Sequence, residues 1–435
     1  MRLLRGMMAV NQNTVRLTKS VIDKLEPTAG KDQSFYRDET LKGFALRITA
    51  SGVKSFVVET RINGRVKRVT LGKYGNITAE EARKQAKTLL GSVARGDDPI
   101  AEKKTQKVNA MTLNQVLNDY LKARKDLKPK TLTDYHCVLH EVVLDWLDKP
   151  ITKITREMIA KRHSEHGTTH SKARANNAMR VLRALFNFAM YEYQTGDGQP
   201  IIIVNPVKYL SHTRGWFRVD RKQTVIKPHQ LADWYKGIIQ LVEGDAYRNA
   251  LLWHDYFLLL LFTGMRKTEV SSLRWGDIDL KSKTITLQDT KNREVHTLPM
   301  SNFIYDLLER RSRQKTSEFI FPADSKTGYI YEPKKAVLKV VELSGVPFTL
   351  HDLRRTFATI AEGLDLSAYA LKRLLNHKMN NDVTAGYIMR DVERLRKPMQ
   401  QIANFLIDYM DPNNLLNEES HRACKDNIDV DSILI

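Results

Sequence analysis

Cysteine is nearly absent from this 435-residue chain. Cys137 and Cys424 stand alone and far apart, which excludes a disulfide framework or a zinc knuckle and fits a reducing compartment. Long apolar runs are missing too: the longest, Tyr256 to Phe262, is far too short to span a bilayer, and no membrane partner is expected. The opening MRLLRGMMAV has no sustained apolar core and no small-residue cleavage site, so no signal peptide is expected there. Acidic side chains are in the minority, with 50 Asp+Glu against 70 Lys+Arg, a formal net charge of +20. That excess favours a polyanionic partner, because each phosphate neutralised by a cation releases condensed counterions. The last third also lacks an Asp/Glu cluster with two-metal spacing, so no metal and no cofactor is expected. What is present, 42% hydrophobic and 28% charged residues, is ordinary for globular modules, and the length suffices for several of them.

The segment LTKSVIDKLEP predicts a helix stopped by Pro27. GFALRITA, SFVVETRI and RVKRVTLGKY alternate apolar and polar residues and are separated by Ser-Gly and Asn-Gly turns, which predicts a three-stranded antiparallel meander. Thr78 and Glu81 form a capping box for a helix running through Arg95 to Gly96. Arg61, Arg65, Lys67, Arg68 and Lys73 put a run of cations on this sheet, suited either to a DNA groove or to a solvated edge. A polar linker, AEKKTQKVNA, leads to four predicted helices beginning at Thr112, Thr131, Thr155 and Ser171, the third ended by Gly167. The fourth carries Lys172, Arg174, Arg180 and Arg183 opposite its apolar face, a candidate clamp on duplex backbone. Beyond Asn205–Val207 an irregular basic stretch opens a mostly helical remainder with two strands, TITLQDT and REVHTLPM, and an acidic tail follows Met410. The fold class expected is multidomain: an α+β unit over 15–103, an all-α unit over 110–205, a mainly α unit with a small β-hairpin over 222–410, and a tail over 411–435.

Several residues of the last third could share one chemistry. Cleaving a phosphodiester takes a nucleophile, cations for the charge on the non-bridging oxygens, and an acid for the departing oxygen. Without a carboxylate cluster to hold metal, the charge falls to arginine, whose planar fork fits two phosphate oxygens. In LLLLFTGMRKTEV, Gly264 interrupts an apolar helix and Arg266 opens a new one, with Glu269 one turn away to hold its guanidinium. In FTLHDLRRTFAT, His351 and Arg354 share a helical face while Arg355 points elsewhere. Lys291 falls in the hairpin between the two strands, where it could protonate a leaving oxygen. His377 lies in LLNHKMNND at a helix end, where a cap is the commoner role. Tyr387, in VTAGYIMR, needs a cationic site or a base before its phenol can attack.

The order Arg, Lys, His-x-x-Arg, His, Tyr resembles the tyrosine recombinase (phage integrase) family. TGMRKTEV is similar to its TGxRxxE box, HDLRRTFAT to its HxLRR box and LNHK…TAGY to its LGH…Y box. LTKSVIDKLEP, GFALRIT, LGKYGNITAEEAR and ARGDDP resemble the arm-site-binding domain of integrases from prophages and genomic islands, and YIMRDVERLRKPMQQIANFL fits the same subgroup. The departures are Asn376 in place of the usual glycine before His377 and the acidic extension past Met410.

The resemblance implies a metal-independent site-specific recombinase that integrates, and excises, a mobile element. Arg266 and Arg354 would bind the phosphate, Lys291 would protonate the 5′-oxygen, His351 would assist proton transfer, and His377 would hydrogen-bond the phosphate. Tyr387 would form a 3′-phosphotyrosine. The implied partners are double-stranded DNA attachment sites and a homotetramer assembled on them, with room for a directionality factor and a host DNA-bending protein. The implied location is the cytoplasm of a bacterial host, at the nucleoid. A type IB topoisomerase-like nickase and a non-catalytic regulator descended from an integrase are the rival readings. The arm-like module argues against the first and the complete residue set against the second.

Overall fold

The computed structural model describes residues 13–411 except 63, 244–249, 289, 291–293 and 378–390. Lys291, Tyr387 and the acidic tail beyond 411 therefore lie outside the described residues. The chain divides into two compact units, Met1–Asp220 and Arg221–Ile435.

The first unit opens with β1 (Thr14–Val15), α1 (Lys19–Lys24), β2 (Gln33–Asp38), β3 (Phe44–Thr49), β4 (Lys54–Ile62) and β5 (Arg65–Lys73). These strands form one sheet in the order β1-β2-β3-β4-β5, so the expected three-stranded meander is the core of a five-stranded sheet. β2 pairs antiparallel with β3, and β1 adds in parallel to β2. Sequence periodicity missed β2 because only Ser34 and Asp38 of QSFYRD are buried: Asp38 is a polar anchor, not an apolar one. It accepts from the Leu17 backbone N–H at 3.0 Å and from Arg83 at 3.0 Å, and those bonds hold its carboxyl below the usual range although burial pushes the other way. α2 (Ala79–Ala94) closes the sheet and starts with the expected capping box of Thr78 and Glu81. Leu17, Ile22, Phe44, Leu46, Ile48, Phe56, Val58, Ala82 and Ala86 form its core.

The polar stretch expected to be a linker is a helix, α3 (Pro99–Asn109). It buries none of its residues, so hydrophobic periodicity could not reveal it. The start signal was Asp98-Pro99: Asp98 accepts from the Ile100 and Ala101 amides, and proline is favoured at the first helical position. Four helices follow as expected: α4 (Leu113–Ala123), α5 (Pro129–Val143), α6 (Arg156–Thr169) and α7 (Lys172–Glu192), then a short α8 (Lys208–His212). They share a second core that includes Leu117, Val142, Trp146, Leu182 and Phe186.

Two boundaries differ. α5 begins at Pro129 rather than Thr131, and Gly167 does not end α6, which continues to Thr169. Gly167 is there for space: a Cβ on it would sit 1.9 Å from the Phe217 ring.

The second unit contains α9 (Leu231–Glu243), α10 (Ala250–Thr263), α11 (Lys267–Ser271), β6 (Ile278–Asp279), β7 (Thr284–Leu287), β8 (His296–Pro299), α12 (Asn302–Ser312), α13 (Lys334–Ser344), α14 (Leu350–Gly363), α15 (Ala368–Leu374) and α16 (Glu393–Met410). Its small antiparallel sheet has the order β6-β7-β8, one short strand more than expected. α10 is apolar all round and buried from Asp255 to Thr263, which makes it the central post of this unit. Its one charge, Asp255, is fully buried and held by His254, Arg310 and Arg311 at 2.7–2.9 Å. No helix among the described residues is long and apolar enough to cross a membrane.

Candidate active site

The central helix α10 ends at Gly264, whose φ is +60° and whose absent Cβ would lie 2.5 Å from the Phe357 ring. Both facts demand glycine: the left-handed turn penalises any side chain, and α14 packs too close to admit one. The sharp exit aims the next residues back across the helix end. Arg266 is then the N-cap of α11, and Glu269 completes a capping box with it. The Glu269 carboxylate accepts from the Arg266 backbone N–H at 2.9 Å and from its Nη1 at 2.8 Å. Glu269 is nearly buried, so this pair is a fixed mount rather than the solvated surface pair that the spacing alone also allowed.

Arg354 arrives from α14. Its side chain is buried, with the residue only 6% exposed, and it donates from Nη1 to the Gly264 carbonyl and from Nη2 to the Leu375 carbonyl, each at 2.5 Å. Burial, then the neighbouring Arg266 charge, pulls its pKa down to about 10, which still leaves it cationic at neutral pH. Two guanidinium charges thus act on one another across the site, and the one carboxylate near them, Glu269, is paired with Arg266. The unmatched positive charge is arranged for an anion. Arg355, as expected, turns away and pairs with Asp352, which also accepts from Thr224 at 2.7 Å.

His377 reaches the site through a helix cap. α15 ends in a Schellman motif: the Asn376 N–H donates to the Arg373 carbonyl at 3.0 Å and the His377 N–H to the Lys372 carbonyl at 2.8 Å. Asn376 has φ +47°, a left-handed conformation that asparagine tolerates nearly as well as glycine. This cap leaves two successive carbonyls bonded to the arginines. Leu375 is taken by Arg354 and Asn376 accepts from Arg266 Nη2 at 3.4 Å, while His296 on β8 has its Nε2 buried without a hydrogen bond.

His351, on the first turn of α14, and His377 are both exposed. Partial desolvation and the adjacent arginines hold both imidazoles below their ordinary pKa: Arg355, Arg354 and Arg266 act on His351, and Arg354, Arg266 and Lys372 act on His377. Both are therefore neutral near pH 7. His296 was not foreseen. Its place two residues before Leu298 on a period-two strand, on the face that enters the core, is the signal that could have revealed it.

The structure thus brings together Arg266, Glu269, His351, Arg354 and His377. Of the proposed DNA contacts, Arg61 is exposed on β4, while Arg65, Arg68 and Lys73 are exposed on β5, an edge strand. Lys67 is occupied, 2.6 Å from Asp98, and Arg68 bridges to Glu59 over the Phe35 ring. On α7, Lys172 is exposed, Arg174 pairs with Glu141 at 2.6 Å, and Arg180 and Arg183 flank the Trp216 ring.

Comparison with known proteins agrees with this geometry. Residues 231–394 match the phage integrase family and residues 17–106 the arm DNA-binding domain. The chain is 25% identical to the prophage integrase IntF of Escherichia coli K12, covering 87% of this chain and 88% of that protein. It is 24% identical to the integrase of Shigella phage Sf6, covering 88% and 98%. In fold it is similar to a lambda integrase dimer bound to a COC′ core site, with a TM-score of 0.50 at 21% identity over 80% of this chain and 95% of that one. With the arginine pair, the two histidines and both matched domains in place, the chain belongs to the phage integrase family of tyrosine recombinases.

Proposed function

We propose that this integrase recombines DNA at specific sites through a covalent 3′-phosphotyrosine formed by Tyr387. The observation that carries the reading is the pair of guanidiniums, Arg266 held by Glu269 and the Asn376 carbonyl and Arg354 held by the Gly264 and Leu375 carbonyls. A phosphodiester placed between them neutralises the surplus charge and presents its phosphorus for in-line attack. The Tyr387 oxygen bonds to phosphorus, the P–O5′ bond breaks, and Lys291 protonates the departing 5′-oxygen. His351 accepts the phenolic proton, and His377 donates a hydrogen bond to a non-bridging oxygen. In the reverse sense a 5′-hydroxyl of a second strand attacks the phosphotyrosine. The ester linkage preserves bond energy, so rejoining needs no nucleotide.

The domain division follows the same reading. Residues 15–103 bind arm-type sites through Arg61, Arg65, Lys67, Arg68 and Lys73, residues 110–205 hold the core site through Lys172, Arg174, Arg180 and Arg183, and residues 222–410 perform the chemistry. Lambda integrase, similar in fold, has been seen as a tetramer bound to a Holliday junction, and four copies of this chain on two attachment sites would exchange strands in the same arrangement. The element served is a prophage or genomic island, and the work is done at the host nucleoid.

The test is a nicked duplex bearing the attachment site, on which cleavage is trapped because the short 5′-fragment diffuses away. The wild-type chain should accumulate a protein–DNA adduct and Tyr387→Phe none. An adduct of equal yield in the variant would transfer the nucleophile to another residue.

A further inference from the structure

Arg180 and Arg183 differ from Arg174 on the same helix. Arg174 is neutralised by Glu141 at 2.6 Å, whereas among the described residues neither Arg180 nor Arg183 enters an ion pair. Three residues apart on α7, the two stand on one face of the helix, and both are exposed. What they share is an aromatic ring: the Trp216 centroid lies 5.8 Å from the Arg180 guanidinium carbon and 5.7 Å from that of Arg183. An indole face attracts a guanidinium through its quadrupole and leaves the N–H groups at the guanidinium edge free to donate.

Trp216 is held in place by bonds of its own and of its neighbour. Its Nε1 donates to Ser211 Oγ at 3.0 Å, and its ring meets that of His163 edge-on with centroids 5.8 Å apart. Phe217 is clamped to α7 itself: Asn176 Nδ2 donates to the Phe217 carbonyl at 2.9 Å, while Asn176 Oδ1 accepts from the Phe217 N–H at 3.3 Å and lies 2.8 Å from His163 Nε2. The Phe217 ring stacks on His163 and fills the space that Gly167 leaves. The stretch that leaves the helical core is thus bound to the same helix that carries the two arginines. Trp216 also packs against the edge of that core, but any apolar side chain could do so. Packing does not call for a ring beside two cations that lack a carboxylate.

We propose that Trp216 is a positioning residue for DNA binding: its ring orders the Arg180 and Arg183 side chains for backbone phosphates, and the Asn176–Phe217 clamp holds the ring there. Each arginine then loses less rotamer freedom on meeting a phosphate. Trp216 acts through the arginines, not on the DNA.

The inference rests on the reading that α7 contacts DNA, and the two fail separately. Both are tested by binding the full chain to a short mixed-sequence duplex, followed by fluorescence anisotropy over a range of salt, because phosphate contacts are independent of sequence. Arg180→Ala/Arg183→Ala should weaken binding and make log Kd less steep against log salt; unchanged affinity in that variant would remove the α7 contact and the inference with it. Trp216→Leu should weaken binding about tenfold, the size of two exposed cation–π contacts, and reduce the salt slope by about one. Loss of folded protein alone would leave that slope unchanged. Trp216→Phe, which keeps a ring, should recover most of the affinity.

The discriminating measurement is a double-mutant cycle. If Trp216 works through the arginines, adding Trp216→Leu to Arg180→Ala/Arg183→Ala should cost nothing further. Multiplication of the two defects, equal affinities for Phe and Leu at position 216, or wild-type affinity in Trp216→Leu while the arginine variant is weakened, overturns the proposal. Trp216→Met, whose flexible chain refills the space, keeps the test decisive should the leucine variant fail to fold.

Discussion

Arg354 Nη2 donates to the Leu375 carbonyl at 2.5 Å, and its Nη1 reaches the Gly264 carbonyl at the same distance, so one guanidinium joins the end of α10 to the end of α15. Arg354→Lys keeps the charge but cannot span both carbonyls with a planar fork. Single-turnover adduct formation should drop by about 10²–10³, the loss seen when one preorganised donor to a transition-state anion is removed. Affinity for the attachment site, dominated by distributed phosphate contacts, should change little. A lysine variant cleaving within threefold of wild type would show that charge alone suffices.

The two histidines beside the arginine pair, His351 and His377, should give the protein a proton-linked response to DNA. Both are held below 6.5 by desolvation and by Arg354 and Arg266, with Arg355 and Asp352 also facing His351 and Lys372 facing His377. A phosphate entering the site offsets those cations and raises both imidazoles. Binding should therefore take up protons just below about pH 6.5, visible as a binding enthalpy that varies with the buffer's ionisation enthalpy. Replacing His351 and His377 by Gln should remove that dependence; its survival in the double variant would place the protons elsewhere.

The same direction applies to folding. His163, nearly buried on α6, and His296 also sit below 6.5, with desolvation the largest cause in each. Below the unfolded value the unfolded chain binds protons that the folded chain resists. The stability contributed by these groups is therefore complete above about pH 6.5 and declines as the pH falls through the folded values.

Gly167 offers a packing test. A methyl group there would meet the Phe217 ring at 1.9 Å, and Phe217 also stacks on His163 with ring centroids 4.5 Å apart. Gly167→Ala gains helix propensity in α6 but must displace that ring, so it should lose about 1–3 kcal/mol of stability, read as a lower Tm in calorimetry. A raised Tm would mean that the 217 region yields freely.

The parts legible in the sequence were those whose cause is local. Thr78 with Glu81, Arg266 with Glu269 and His351 with Arg354 are each three residues apart, so one helical turn explains them. The four helices α4 to α7 announced themselves by apolar periodicity. β2 and α3 did not, because Asp38 and Asp98 anchor them through hydrogen bonds that carry no apolar pattern. His296 stayed hidden because it belongs to no motif box and its strand is only four residues long. Lys291 and Tyr387 were reached only through the resemblance of their motifs, since isolated residues of those types have commoner uses.

The turn at Leu374–Asn376 has a consequence for how this site can change over generations. Its contacts to Arg354 and Arg266 are made by peptide oxygens, which every amino acid supplies. Substitutions at 374 and 375 are therefore screened only for fit to the core, where both side chains are buried, and at 376 only for tolerance of a left-handed backbone. The geometry around the two arginines can therefore pass intact through a history of altered letters at these three positions.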